Sequence, residues 1–313
     1  MHTTFNTPRK AARLLIATAT VGALLAGGAS AASAIPPRPA TAIQAYGAIH
    51  QTAANKALVL HYFGQLVNRG NLGAIDPFVE PGYIEHDPTR ATGPKALRAW
   101  ASGLKTAHPQ SRATVKKVIA QGDLVVLYSN LILEPGSKGT ALVDIFRIAK
   151  GRIAEHWDVQ QQVPDSTASG HDMFSTLSTP RLPGPDPRAS SAYSEKVALG
   201  MMIGLAVDHD LTALDRYAAA DYIQHSPTAL DGTASAKETF GKIFAQFPGF
   251  TASPKRVITE GDYVAIHSHY KTSAKNPGTS IVDLLRVRNG KVVEHWDVVQ
   301  PIPATSANSN TMF

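Results

Sequence analysis

The chain has 313 residues, of which 43% are hydrophobic and 17% charged, proportions that are typical of a soluble globular protein and exclude a mostly disordered one. This length predicts two domains. The formal net charge of +6 gives little support to nucleic-acid binding, because half of it lies in residues 1–34 and the other basic side chains are scattered. The chain has no cysteine, which excludes a disulfide framework and a lipid-modified cysteine.

The first segment has the pattern of a secretory signal peptide. Arg9, Lys10 and Arg13 precede an apolar run at 14–25, which is followed by small residues up to Ala34. The run is shorter than the roughly twenty residues that span a bilayer, although an uncleaved anchor is an open alternative. We therefore expect cleavage near Ala34, a secreted or cell-envelope (periplasmic) location, and no membrane association afterwards.

An internal repeat fills most of the remaining chain. Residues 83–88, YIEHDP, recur as 222–227, YIQHSP, at a shift of 139 positions. At the same shift, EHWDV at 155–159 recurs unchanged at 294–298. The repeat predicts a duplicated domain. The predicted organisation is a signal peptide at 1–34, a Pro/Ala-rich linker at 35–52, a first domain at 53–174, a Pro-rich linker at 175–192 and a second domain at 193–313.

Within each copy, helical patterns precede strand patterns. In the first copy, apolar spacing predicts a helix around 58–67, a short second helix after Asn71, and a third helix over 94–107. The strand candidates, rich in β-branched residues, are 124–133, 141–148 and 153–161. Each copy is therefore expected to be a cone-shaped α+β barrel, in which about three N-terminal helices pack on a curved antiparallel or mixed sheet with a pocket between them.

The turn between the last two strands sets the predicted register. Lys-Gly at 150–151 and Asn-Gly at 289–290 indicate two-residue hairpin turns. Counting back from such a turn places Asp144 opposite Trp157. The predicted pocket face then carries Asp144, Phe146, Glu155, Trp157, Val159 and Gln161. The opposite face carries Arg147, His156 and Asp158, which we interpret as interface or ion-pair residues.

These motifs resemble the SnoaL-like family, part of the ketosteroid-isomerase-like (nuclear-transport-factor-2-like) superfamily of α+β barrels. The resemblance rests on YIEHDP and YIQHSP, on a D-x-x-R strand, and on GRIAEHWDVQQ and GKVVEHWDVVQ, and it covers nearly all of both domains. It implies the fold more strongly than the reaction, because the superfamily includes cyclases, isomerases, dehydratases, epoxide hydrolases and non-catalytic members. In the polyketide cyclases of the family, the acid/base aspartate follows the strand tryptophan by four residues, a position that Gln161 and Gln300 occupy here.

Asp144 and Asp283 are the predicted catalytic bases, since each is a lone carboxylate on an apolar strand face. His86 and His225 are predicted to polarise a substrate oxygen or to return the proton. The alternatives are a buried aspartate satisfied by backbone amides or a tyrosine hydroxyl, and a histidine that caps a helix or orders its loop. The other predicted pocket residues are Tyr83, Tyr222, Trp157, Trp296, Gln161, Gln300, Tyr128 and His267.

Two functional hypotheses follow. The first is an exported acid/base enzyme that acts on a small apolar carbonyl compound by aldol-type or isomerase-type proton transfer. The second is a non-catalytic module that binds a hydrophobic ligand or a protein partner. We expect no cofactor and no metal, because the sequence has no phosphate loop, dinucleotide fingerprint or compact ligand spacing. The resemblance also implies that the two domains pair as an intramolecular pseudo-dimer.

Overall fold

The computed structural model describes residues 42–177 and 184–313. They form two five-stranded mixed sheets, one after the other along the chain, each with its own helices. The predicted signal peptide at 1–34 lies outside the described residues, as does 178–183 of the second predicted linker. None of the helices in the described ranges combines the length and apolar character needed to cross a bilayer.

The first domain begins with helix α1, Ala42–Phe63, which continues as a π-helical turn, Gly64–Asn68. Its other helices and strands are α2 (Ile75–Phe78), β1 (Val79–Glu85), α3 (Pro94–Ala107), β2 (Arg112–Gln121), β3 (Leu124–Ile132), β4 (Thr140–Ala149) and β5 (Arg152–Gln162). The strand order is β1-β5-β4-β3-β2, with β1 parallel to β5 and the other pairs antiparallel. Helix α1 starts inside the stretch 35–52 that the sequence assigned to a linker.

The second domain repeats this order. Its elements are α4 (Ser191–Met202), a π-helical turn (Ile203–Val207), α5 (Ala213–Tyr217), β6 (Ala218–Gln224), α6 (Gly232–Gln246), β7 (Thr251–Glu260), β8 (Tyr263–Lys271), β9 (Thr279–Arg288) and β10 (Lys291–Pro301). The strand order, β6-β10-β9-β8-β7, is that of the first sheet, and β6 is again parallel to β10. The predicted fold class, two tandem α+β domains, is confirmed.

Local sequence signals set several boundaries. Helix α3 covers the predicted 94–107, with Pro94 in its first turn, where a missing N–H leaves no helical bond unmade. The predicted hairpin turn is also present, because Ala149 pairs with Arg152 across Lys150 and Gly151. Both turn residues have positive φ, 51° and 71°, as a two-residue turn of this hand requires.

The predicted register beyond this turn is wrong by one position. Asp144 pairs with Asp158 and not with Trp157, whose partner is Ile145. The cause is a β-bulge at Ala154, between the pairs Ile148–Ile153 and Arg147–Glu155, which reverses the facing of every later β5 side chain. The second domain has the same irregularity between Val292 and Glu294.

One face of each sheet packs against its own helices, and the other face belongs to an apolar cluster common to both domains. The buried members of that cluster, here called the shared cluster, are Ile119, Val126, Tyr128, Ala141, Val143, Ile145, Trp157, Val159, Met173, Phe174, Leu177, Ile258, Tyr263, Ala265, Val282, Leu284, Trp296 and Val298. Both faces of both sheets are therefore largely buried.

Two glutamines connect the sheets across the shared cluster. Gln161 Oε1 accepts a hydrogen bond from the backbone N–H of Val299, and Gln300 Oε1 accepts one from that of Gln160, each at 2.9 Å. These reciprocal bonds satisfy part-buried backbone donors that would otherwise be costly to leave unpaired. The side chains of Gln161 and Gln300 therefore connect the two sheets.

Candidate functional site

A cavity in the first domain lies between its helices and the helix-facing side of its sheet. Its cavity volume is about 40 Å³, so it is a narrow pocket. Most of its wall is apolar, with a few polar side chains among the aromatic and aliphatic ones, which is the usual composition of a small-molecule site. The lining residues are Tyr62, Phe63, Leu66, Val67, Tyr83, Arg90, Leu97, Trp100, Leu104, Leu131, Leu142, Asp144, Phe146, His156 and Gln160.

A chain of hydrogen bonds runs through the polar part of the cavity wall. His156 on β5 lies between two carboxylates, with Nε2 at 3.0 Å from Asp144 Oδ1 and Nδ1 at 2.8 Å from Glu85 Oε1. The hydroxyl of Tyr83 donates to Glu85 Oε2 at 2.7 Å. Asp144 Oδ2, in contrast, is buried without a hydrogen-bond partner among the described residues. The carboxyl group of Asp144 is thus oriented on one side and free on the other.

Arg90 neutralises the acidic groups behind this chain. Its Nη2 donates to Asp158 Oδ2 at 2.8 Å, and its Nε lies 2.7 Å from Asp87 Oδ2. Its guanidinium group also stacks on Trp100, 4.1 Å from the ring centroid. The side chains of Asp87 and Asp158 are almost fully buried, so the arginine supplies the positive charge that such carboxylates require.

Neighbouring charges and burial separate the pKa values in this network. Burial opposes the charge of His156, but Glu85 and Asp144 outweigh it and raise the pKa of His156 to about 10. Burial likewise opposes the charge of Glu85, but His156 and Arg90 outweigh it and lower the pKa of Glu85 to about 2. Burial raises the pKa of Asp158 to about 8, although Arg90 opposes this shift. His156 is therefore a buried imidazolium at neutral pH.

The raised pKa of His156 predicts that the protein loses stability as the pH rises. Between the unfolded value of about 6.5 and the folded value of about 10, only the folded state retains the proton, so the unfolding free energy falls with a limiting slope of about 1.4 kcal/mol per pH unit. The raised pKa of Asp158 acts in the same direction below about 8. Urea denaturation at pH 6.5, 8 and 9.5 measures the effect. His156→Gln should flatten the dependence, and a wild-type stability that is constant over this range would contradict the assignment.

The second domain keeps the aspartate and the histidine of this chain but changes their surroundings. His295 Nε2 lies 2.9 Å from Asp283 Oδ1, as in the first domain, whereas its Nδ1 faces the neutral amide oxygen of Gln224 at 2.8 Å. Gln224 stands where the first domain has Glu85, and Ala229 stands where it has Arg90. The second copy therefore lacks both the second carboxylate and the arginine.

An aromatic side chain also lies close to the aspartate of the second domain. Burial, followed by the nearby charges of Asp283 and Asp297, holds the pKa of Tyr270 well above its usual range. Tyr270 also contacts Phe250, with 5.6 Å between the two ring centroids. Its counterpart at the 139-residue shift is Leu131, a wall residue of the first-domain cavity. The second domain thus has a larger side chain at that wall.

Only some of the residues predicted to be catalytic or to line the pocket lie at the cavity. Asp144 and Tyr83 line the first-domain cavity, whereas His86 does not lie in its wall. His86 stacks on Trp157 at 4.7 Å, with its Nε2 2.8 Å from Glu155 Oε1. His225 stacks in the same way on Trp296 at 4.8 Å. Both histidines belong to loops that border the shared cluster.

Most of the other predicted pocket residues lie on the face turned away from the cavity. Because the bulge reverses the β5 facing, Trp157 and Trp296 enter the shared cluster and Gln161 and Gln300 bond across it. Tyr128 is buried in the same cluster and donates to the carbonyl of Met173. The remaining two are Tyr222, in the helix-facing core of the second domain, and His267, whose Nε2 lies 2.8 Å from Ser280 Oγ.

Sequence reasoning missed the residues that the bulge and strand β1 bring to the cavity. His156 and Asp158 were assigned to the opposite face, an assignment that the observed register contradicts. Glu85 and Arg90 were not singled out. Comparing the two copies could have identified them. Glu85 and Arg90 are charged residues in or next to YIEHDP, and the second copy has neutral residues at both positions.

Each domain also contains an Asp-His-Asp group whose ligand-type atoms lie within 4.8 Å of one another. The group in the first domain consists of Asp144, His156 and Asp158. Both nitrogens of His156 already face carboxylates, and Asp158 Oδ2 already accepts a bond from Arg90. The other carboxyl oxygens, Asp144 Oδ2 and Asp158 Oδ1, are buried without a hydrogen-bond partner among the described residues.

Comparisons with known proteins agree with this architecture. The family profile of the SnoaL-like domain matches residues 59–156 and again 202–295. A search of curated proteins finds no relative of the chain.

Similar solved structures each cover about a third of the chain. TsrD from Streptomyces laurentii is 25% identical and matches 35% of this chain and 89% of its own, with a TM-score of 0.31. A loop-truncation variant of IdmH, a Streptomyces antibioticus protein, is 23% identical and matches 34% and 91%, with a TM-score of 0.31. A candidate SnoaL-like polyketide cyclase from Jannaschia sp. CCS1 is 22% identical and matches 35% and 87%, with a TM-score of 0.31.

Proposed function

Because the chain belongs to the SnoaL-like family in both of its domains, we propose that its first domain is an acid/base enzyme for a small, largely apolar carbonyl compound. The observation that carries the proposal is that Asp144 Oδ2, which is buried without a partner among the described residues, belongs to a cavity wall; Asp283 Oδ2 is unpaired in the same way, so the cavity and its charged network single out the first domain. An unpaired buried acceptor costs free energy, which makes it uncommon in a purely structural position. A base that must accept a proton needs such a free oxygen.

The proposed step is proton abstraction next to the carbonyl group. Asp144 Oδ2 takes the proton, the C–H bond breaks, and its electron pair forms the enolate. His156, bonded to Oδ1, keeps the carboxyl group oriented. In an isomerisation the proton returns from Asp144 to another carbon of the enolate. In an aldol closure the enolate carbon attacks a second carbonyl group of the same molecule, whose oxygen then takes the proton.

Two cavity residues are suited to stabilise the enolate oxygen. Gln160 lies on β5, two positions beyond Asp158 and on the same face, and Tyr62 lies on α1 across the cavity. An amide N–H or a phenol O–H can donate to the developing negative charge. Burial, reinforced by the charge of Glu85, holds the pKa of Tyr62 above its usual range, so the phenol keeps its proton. In this proposal Gln160 and Tyr62 polarise the substrate oxygen, which is the role that the sequence predicted for His86.

The proposal is tested by proton exchange. We expect the wild-type protein in D2O to accelerate deuterium incorporation next to the carbonyl group in members of a panel of cyclic β-diketones and β,γ-unsaturated ketones, followed by proton NMR. If panel members bind, as shown by calorimetry, but exchange no faster than in buffer, acid/base catalysis is rejected and the binding module is favoured.

For the second domain we propose the non-catalytic alternative, a ligand-binding or scaffolding module. The supporting observations are the neutral Gln224 and Ala229 in place of charged residues and the bulky Tyr270 near Asp283. Burial opposes the charge of His295, and Asp283 and Asp297 still raise its pKa, but Gln224 gives it no second hydrogen-bonded carboxylate. Asp283 remains a predicted base, and its substitution is the matched control for Asp144.

We further propose that the chain is exported and that its domains form an intramolecular pseudo-dimer. Export is supported by the charged and apolar pattern before Ala34. N-terminal sequencing of protein from the culture medium or envelope should start near Ile35. The pseudo-dimer is supported by the shared cluster and by the bonds of Gln161 and Gln300. Small-angle scattering that indicates two separated, independently moving domains would reject it.

A further inference from the structure

A segment of the second domain, residues 306–311, crosses the loop that follows β1 in the first domain. The backbone N–H of Ala307 donates to the carbonyl of Pro88 at 2.7 Å. Further along, the carbonyl oxygen of Thr311 lies 2.6 Å from Nδ1 of His86. The loop, residues 85–90, is thus bound by a segment more than two hundred positions away in the sequence.

Two asparagines of this segment bind the backbone of the loop through their side chains. Asn308 Nδ2 donates to the carbonyl oxygens of both Asp87 and Arg90, each at 2.7 Å. Asn310 Nδ2 donates to the carbonyl oxygen of Glu85 at 2.8 Å. The three carbonyls belong to the residues whose side chains make the charged network behind the cavity. The asparagines therefore constrain the backbone at each of the positions that the network depends on.

The other half of the molecule has the same crossing without these amides. The backbone N–H of Ala168 donates to Pro227 O at 2.8 Å, and Asp172 O lies 2.9 Å from His225 Nδ1, which repeats the two backbone contacts at the 139-residue shift. The counterpart of Asn308 is Ser169, whose hydroxyl donates to the carbonyl oxygen of Gln224 at 2.8 Å and accepts from the backbone N–H of His171 at 3.3 Å.

The counterpart of Asn310 is His171, whose Nε2 faces the side chain of Asp231 at 3.1 Å and not a loop carbonyl. The loop that lacks the charged network is thus also the loop that lacks the two asparagine contacts. Both halves therefore share the backbone contacts and one side-chain bond to the carbonyl at the position of Glu85 or Gln224, whereas the two bonds of Asn308 are an addition at the first-domain loop.

We propose that Asn308 and Asn310 are positioning residues for the first-domain cavity, so that the second domain completes the site of the first. A buried ion-pair network is favourable only while its geometry is close to ideal, because small displacements expose charges that are then poorly paired. Holding the carbonyls of the loop keeps Glu85 against His156 and Arg90 against Asp158. The relevance to catalysis rests on the proposed function, but the positioning itself does not.

The test follows the protonation of His156 by NMR in isotopically labelled full-length protein. The titratable and charged groups around His156 are Glu85 and Tyr83 from β1, Asp144 from β4, Asp158 from β5, Arg90 from the loop and Tyr62 from α1. We expect Asn308→Ser with Asn310→Ala to lower the titration midpoint of His156 by about one pH unit or more, since Glu85 would be less closely paired. A merely structural contact would lower the melting temperature without moving this midpoint.

Ser169→Ala is the matched control, because it removes the corresponding contact on the second domain and should leave the midpoint of His156 unchanged. An unchanged midpoint in the folded double variant, or an equal shift in Ser169→Ala, would overturn the proposal. If the double variant does not fold, Asn308→Ser alone is titrated and read by the same criteria. If the midpoint of His156 shifts in the double variant but the wild type does not exchange ketone protons, Asn308 and Asn310 are positioning residues and the proposed enzyme activity is rejected.

Discussion

Asp144→Asn is expected to reduce the ketone exchange catalysed by the protein by about 10² to 10⁴-fold, the usual contribution of a positioned general base. The amide has nearly the same shape but cannot accept a proton at working pH. Ligand affinity should change little, because the rest of the mostly apolar cavity wall is unaltered. Initial exchange rates in D2O and calorimetric binding of the same ketone separate the two effects.

The second copy provides the control for this experiment. Asp283→Asn removes the equivalent carboxyl group, which makes the same contact with His295, and should leave the exchange rate close to that of the wild type. A loss of equal size in both single variants would show that both domains act. Full activity in Asp144→Asn would remove Asp144 from the mechanism, and Asp158 would then have to be tested as the base.

Arg90→Met is expected to destabilise the protein by about 3–5 kcal/mol, the typical cost of leaving a buried charge without its partner. The variant retains an apolar stem of similar length but leaves the almost fully buried carboxylate of Asp87 without its guanidinium neighbour, and Asp158, whose pKa burial raises to about 8, loses its hydrogen-bond donor. Urea denaturation at pH 7 measures the loss. Asp87→Ser combined with Arg90→Ala, which copies Ser226 and Ala229 of the second domain, should recover part of it.

A surface arginine gives the comparison for Arg90. Arg98 pairs with Asp76 at 2.7 Å, but both side chains are more than one third exposed. Arg98→Met should therefore cost less than about 1 kcal/mol, as exposed ion pairs usually do. Similar losses for Arg90→Met and Arg98→Met would mean that the charged network behind the cavity contributes no more than a surface pair.

Neighbours along the chain decide where helices and turns form, whereas packing decides which face of a sheet a strand residue points to. Local signals were sufficient for helix α3, which Pro94 opens, and for the hairpin turn at Lys150 and Gly151. They were insufficient for the strands that follow. Alternation identifies the buried face of a strand only when the other face meets water. Here one face meets helices and the other meets the second sheet, so both faces of β4 and β5 are largely buried.

The amino-acid sequence by itself determined the duplication, helix α3, the last three strands, the tight turns and the family, because these depend on contacts between near neighbours or on direct comparison of the two copies; it did not predict strand β1. Only the tertiary structure decided which side chains reach the cavity. A single extra residue at Ala154 moves His156 and Asp158 to the cavity side and Trp157 and Gln161 to the shared cluster. The contacts of Asn308 and Asn310 with a loop in the other domain were equally hidden, since their partners are set by packing between domains and not by spacing along the chain.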